Sequence, residues 1–219
     1  MKYILTLLVT TLTLLANIGH LTALKGDAKV HHIDTSISPA KMGMPIQEGD
    51  KIITSVNTRA QIILKDDTVI TIGSNSTFTF EKYLFNGGKT STISMKSERG
   101  FFRSVTGKIG KIAPERFTVK TSSATIGIRG TDFSVLQTDK VERYVCYRGE
   151  IRVTRGDKSI DIDAGKILEF KNQHHKKMFN ESQTPKLYDI SDITKFSVPN
   201  FTQNPATDGF TTPGTTQPL

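Results

Sequence analysis

The residues of this 219-residue chain that could do chemistry are two histidine pairs, some turn carboxylates, one cysteine, and Arg129 and Asp132 either side of Gly130-Thr131. His31-His32 and His174-His175 are adjacent pairs. Neighbours on a strand point to opposite faces, so neither pair makes a two-ligand metal site by itself. No Cys, Asp or Glu spacing completes one, so no metal and no cofactor are expected. Asp66-Asp67 and Asp161/Asp163 sit at turns. Paired acids can cleave glycosides, but a chain that is 8% aromatic and lacks tryptophan is poorly equipped to hold a sugar. Gly-x-Ser-x-Gly, His-Glu-x-x-His and a phosphate loop are missing. Cys146 is alone, which excludes an intrachain disulfide, and within "RYVCYRG" it reads as a small packing residue rather than a nucleophile. No catalytic residue is expected, and the chain reads as a non-enzyme.

The stretch "SSATIGIRGTDFSVLQT" (122–138) is the most informative one. Its apolar residues fall at even positions in Ala124, Ile126 and Ile128, and at odd positions in Phe133 and Val135. Strand side chains alternate faces, so a change of parity requires an extra residue or a crossing between sheets. Glycine accepts the backbone angles of a bulge, and Gly130 stands at the switch. Thr131 and Asp132 carry short oxygens able to bond backbone groups that a bulge frees. Gly130, Thr131 and Phe133 therefore read as a structural motif, a bend in a core strand. Arg129 and Asp132 are candidate contact residues, since a bulge can re-aim a side chain. A second candidate patch is "KNQHHKK" (171–177) with Lys171, His174, His175, Lys176 and Lys177. It reads as a solvated exit from the last strand that can contact anions, with more charge in mild acid.

The elements that must position these residues are strands. "RAQIILKDDTVITI" gives Ala60, Ile62, Leu64, an acidic turn, then Ile70 and Ile72, which predicts a hairpin. Further period-2 runs carry Phe78 and Phe80, Phe117 and Val119, Ile151 and Val153, Ile160 and Ile162, and Leu168 and Phe170. Turn signals recur about every ten residues. The fold class expected is all-β: an antiparallel sandwich, barrel or β-roll of many short strands with little helix. Periodicity does not choose among these, because it does not record pairing order.

Four segments are expected. Residues 1–23 read as a cleaved signal peptide: Lys2, a short apolar run from Ile4 to Ile18, and Ala23 at the end. Residues 24–175 form the β domain. Residues 176–198 form a short extension, with Leu187, Ile190 and Ile193 at helical spacing. Residues 199–219 form a Thr/Pro-rich tail read as disordered. A periplasmic or secreted location follows, with no transmembrane span in the mature chain. The formal charge is +8, all but one unit of it outside the leader. Such a chain suits an envelope protein or an anionic envelope polymer, not nucleic acid, since its basic residues are scattered without an aromatic platform.

"TSSATIGIRGTDFSV" resembles the signature of the FecR domain family, in which an alternating strand runs into Gly-Thr-x-Phe-x-Val. "PIQEGDKIITS", "RAQIILKDDTVITIGSNSTF", "ERGFFRSV", "YRGEIRV" and "DAGKILEF" follow the family's order around it. The resemblance runs from Gly26 to Phe170. It implies an all-β envelope domain that senses or relays a signal through protein contacts. Familiar members carry a cytoplasmic sigma-factor-binding segment and a membrane span, and here a short leader precedes the domain. The resemblance thus implies a free-standing exported FecR domain. Asp67 replaces the glycine of the family's Asp-Gly turn, which implies a looser turn. Two other readings stay open: a structural or assembly protein of the envelope or a secreted matrix, and a carbohydrate-active enzyme.

Overall fold

The computed structural model describes residues 17–171 and 175–180. They form strands β1 (Asn17–Lys25), β2 (Ala28–His31), β3 (Ile37–Pro39), β4 (Pro45–Gln47), β5 (Lys51–Thr54), β6 (Arg59–Leu64), β7 (Val69–Ile72) and β8 (Thr77–Leu84). These are followed by β9 (Thr92–Val105), β10 (Phe117–Lys120), β11 (Thr125–Gln137), β12 (Val141–Arg155), β13 (Lys158–Asp163), β14 (Lys166–Lys171) and β15 (His175–Asn180). Between β9 and β10 lie one helical turn, α1 (Ile109–Ile112), and a 3₁₀ turn at Pro114–Arg116. The protein is all-β, as the alternating sequence predicts.

Three strands organise the rest. β9, β11 and β12 have 14, 13 and 15 residues, against about 5–6 for an ordinary strand. Each serves two sets of neighbours. β9 pairs β8 through its first half, and β7 and β11 through its second. β11 pairs β10 near its start and β9 near its end. β12 pairs β14 over Val141–Cys146 and β13 over Glu150–Arg155. The sheet therefore doubles over. One layer runs β15-β14-β12-β11-β9-β7-β6-β1-β4, and the other runs β13-β12-β11-β10-β9-β8-β5-β2-β3. Pairing is antiparallel except between β9 and β10.

The two inner faces share one apolar core. Ile62, Ile70, Phe102, Phe133, Tyr144 and Leu168 come from the first layer, and Ile52, Phe78, Met95, Val119, Ile126 and Ile151 from the second. Phe78 and Phe102 meet with ring centroids 5.1 Å apart. Each such side chain contributes roughly 1.5–3 kcal/mol on burial. That is how a domain with one cysteine and no disulfide holds together.

Two expected boundaries fall inside strands. β1 lies between β4 and β6, with Ile18 and Leu21 only 2% and 0% exposed. Residues 17–23, assigned to the leader by the sequence, are thus part of the sheet. At the other end β15 continues the first layer past residue 175 to Asn180, pairing with β14. The expected helical segment at 187–193 and the tail at 199–219 lie outside the described residues. No described helix is long and apolar enough to cross a membrane.

Candidate functional site

The parity switch in β11 is built on two glycines. Gly130 has φ +59° and Gly149, opposite it in β12, has φ +77°. The β11–β12 register shifts on both sides of Asp132. A Cβ on Gly149 would lie 2.5 Å from the Gly130 carbonyl oxygen, so only glycine lets the chains approach this closely. Ile126, Ile128, Phe133 and Val135 consequently all reach the same core across the bend. Thr131 is fully buried. Its N–H donates to Thr106 Oγ1 at 2.9 Å, and its carbonyl accepts from the Thr106 N–H and hydroxyl at 2.9 and 3.0 Å.

The two candidate residues beside the bend part company. Asp132 accepts two hydrogen bonds from Arg103, from Nε and Nη2, each 2.7 Å, and both side chains are largely buried. The Arg103 guanidinium lies 4.5 Å over the Tyr147 ring, and the Tyr147 hydroxyl is 3.0 Å from Ser134 Oγ. Arg129 is exposed and stands opposite Glu150, whereas Asp132 stands opposite Arg148 beyond the bulge. The bend thus locks Asp132 into a buried fork and leaves Arg129 in solvent. Arg103 was not singled out from sequence. Its only signal is a cation at an outward position of the apolar run "GFFRSV".

The turn acids are also engaged. Asp66 is fully buried and accepts from the Thr68 hydroxyl at 2.7 Å, the Tyr83 hydroxyl at 3.2 Å and the Ile109 N–H at 3.2 Å. This pins α1 to the β6–β7 turn, so the turn is tied down although Asp67 adopts φ +66°. Burial, reinforced by the Asp66 carboxylate, pushes the Tyr83 phenol well above its usual range. Asp161 is paired with Arg152 through two hydrogen bonds of 2.6 and 2.8 Å on the surface, and Lys166 donates to Asp163 at 3.2 Å. Cys146 is fully buried, and burial pushes its thiol up to about 11, so at neutral pH it is a protonated packing group.

Of the basic run at 171–177, Lys171 and residues 175–177 are described, on two paired strands. Lys171 closes β14, opposite His175, whose backbone opens β15; His174 lies outside the described residues. Lys176 and Lys177 alternate across β15 and so serve different faces. Lys177 stands opposite Glu169, with its ammonium 6.0 Å from the Phe179 ring. Lys176 instead reaches an open groove at the end of the fold, lined also by Val153, Arg155, Lys158, Ser159, Ile160 and Phe170. The Arg155 guanidinium lies 4.3 Å over the Phe170 ring. Three cations thus surround an aromatic floor, with Arg155 and Lys158 supplied by the β12–β13 turn. The sequence signal for them was "TRGDKS", a turn flanked by basic residues, which reads as ordinary until β14 and β15 fold beside it. Charge and ring together suit an acidic surface with some apolar content. Among the described residues no cluster of three potential metal ligands occurs.

Residues 50–152 match the family described as FecR protein. No curated protein matches the chain. Two crystal structures of a protein described as a candidate anti-sigma factor from Parabacteroides distasonis are similar at 16% identity, with TM-scores of 0.49 and 0.48. The match covers 59% of this chain and 59% of theirs, so the chain spans about three-fifths of their length. A structure described as a cell surface anchoring domain matches 28% of this chain and 82% of its own at 31% identity, with a TM-score of 0.28.

Proposed function

The chain carries a FecR domain over residues 50–152, and on that premise we propose that it is a non-enzymatic signal-sensing module of the bacterial envelope. It is exported by its leader and acts through protein contact at the basic end of the fold. The observation that carries the reading is the groove where Arg155, Lys158 and Lys176 gather around Phe170. In keeping with this reading, four of the reactive groups are engaged in structural contacts: Asp132 with Arg103, Asp66 with the α1 junction, Asp161 with Arg152, and Cys146 in the core. A sensing module of this kind needs a rigid scaffold and an accessible, charged recognition surface.

Cell fractionation with chemical cross-linking tests this. The full chain, tagged at its C-terminus, is expected in the envelope fraction, cross-linked to one protein in stoichiometric amount. Retention on purified cell-wall material without a protein partner would favour an assembly role instead. Recovery of the protein from the cytosol would overturn both.

A further inference from the structure

The sequence places the end of the leader at Ala23, but the fold already uses the residues before it. The described contacts begin at Asn17, whose side-chain oxygen accepts the Gly19 N–H at 2.8 Å. The Ile18 carbonyl accepts from the Lys65 N–H at 2.9 Å. Leu21 donates its N–H to the Met44 carbonyl and accepts from the Gly43 N–H at 2.9 and 2.8 Å. Gly19, His20 and Leu21 stand opposite Leu64, Ile63 and Ile62 of β6, while Asn17, Gly19 and His20 stand opposite β4. At Gly19 the fit is tight enough that a Cβ would sit 2.4 Å from the Ile63 carbonyl oxygen.

Removing residues 17–23 would take out most of the strand that joins β4 to β6. The backbone groups of both neighbours would lose their partners, and fully buried Ile46 and Ile62 would lose part of their cover. A chain beginning at Leu24 would therefore start from an opened first layer.

We propose that the leader is cut between Ala16 and Asn17, so that the mature chain begins at Asn17. This rests on the export reading above and fixes the processing site within it. Lys2 provides the positive start and Ile4 to Leu15 the apolar stretch, a length suited to a leader. Ala16 supplies the small side chain just before the cut, with Leu14 rather than a second small residue two positions earlier. The step is a hydrolysis by that peptidase. Water adds across the Ala16–Asn17 amide, leaving a carboxylate on the released leader and an α-ammonium on Asn17. The whole of β1 stays with the domain.

The test is N-terminal sequencing of the full chain, expressed with its own leader and recovered from the envelope fraction. The expected first residue is Asn17. An exported chain that begins at Leu24, or one that keeps Met1, would overturn the processing site while leaving export intact. A Met1 chain confined to the cytosol would overturn the export reading and this inference with it. Ala16→Leu is expected to accumulate precursor, and Ala23→Leu, half-buried in β1, to be processed as the wild type. The reverse pattern would contradict the assignment. The wild-type N-terminus decides the matter even if Ala23→Leu folds poorly.

Discussion

At the scale of single residues, two pairs that look alike in sequence separate in the fold. Arg129 and Asp132 flank the same bend, yet Asp132 holds a buried guanidinium and Arg129 faces water. Asp132→Ala would take the carboxylate of a two-bond fork away from a largely buried guanidinium, a loss of about 3 kcal/mol of stability, whereas Arg129→Ala should stay within about 0.5 kcal/mol. Urea unfolding of both variants measures the contrast, and equal effects would contradict the assignment. Gly130 and Gly149 form the second pair. Both have positive φ, which costs an alanine roughly 1–2 kcal/mol. An added Cβ at Gly130 has nothing within 4 Å, while at Gly149 it meets backbone at 2.5 Å. Gly149→Ala is therefore expected to destabilise clearly more than Gly130→Ala in the same assay. Cys146 should resist alkylation at pH 8 in the folded state and react fully once urea unfolds the chain, because its thiol is buried and held protonated. Rapid labelling of the native protein would place it at the surface.

At the scale of elements, legibility followed the range of the interaction. The β6–β7 hairpin was written in Ala60, Ile62, Leu64, Ile70 and Ile72, because alternation and turn chemistry are local. The parity switch at Gly130 was readable for the same reason. What periodicity could not record is that β9, β11 and β12 each change neighbours midway, since pairing between distant segments leaves no period in either. The start of β1 was hidden by composition: Ile18 and Leu21 are apolar whether they belong to a leader or to a core strand. The basic groove was hidden by distance, with Arg155 and Lys158 on one hairpin and Lys176 on another.

The packing of these elements also sets the response to alkali. Burial raises the Cys146 thiol and the Tyr83 and Tyr144 phenols, with Asp66 adding to the effect at Tyr83 and Glu142 at Tyr144. The folded chain therefore keeps protons that the unfolded chain releases. The thiol's contribution to stability is complete below about pH 9, its ordinary value, and is lost as pH rises through 11; the phenols' contributions begin to fall only above their ordinary value of 10 and go on falling at higher pH. The urea midpoint should fall steadily from pH 9 to pH 11. A flat midpoint over that range would mean these groups are not buried as described.

At the scale of the whole molecule, a double-layered β scaffold holds buried charge in structural pairs such as Arg103–Asp132 and Arg143–Glu169 and gathers Arg155, Lys158 and Lys176 around one open groove. Among the described residues β15 is an edge strand and carries Lys176 and Lys177, and lysines on an edge discourage another chain from adding there as a strand. At this edge, recognition through the groove fits better than strand addition. The most direct measurement compares partner capture from the envelope by the wild-type protein and by the triple variant Arg155→Glu, Lys158→Glu, Lys176→Glu. The wild type should hold one acidic protein in stoichiometric amount, releasing it as salt rises. The variant, unfolding at the same urea concentration, should hold at least tenfold less. Equal capture by a correctly folded variant would show that the basic groove is not where the protein works.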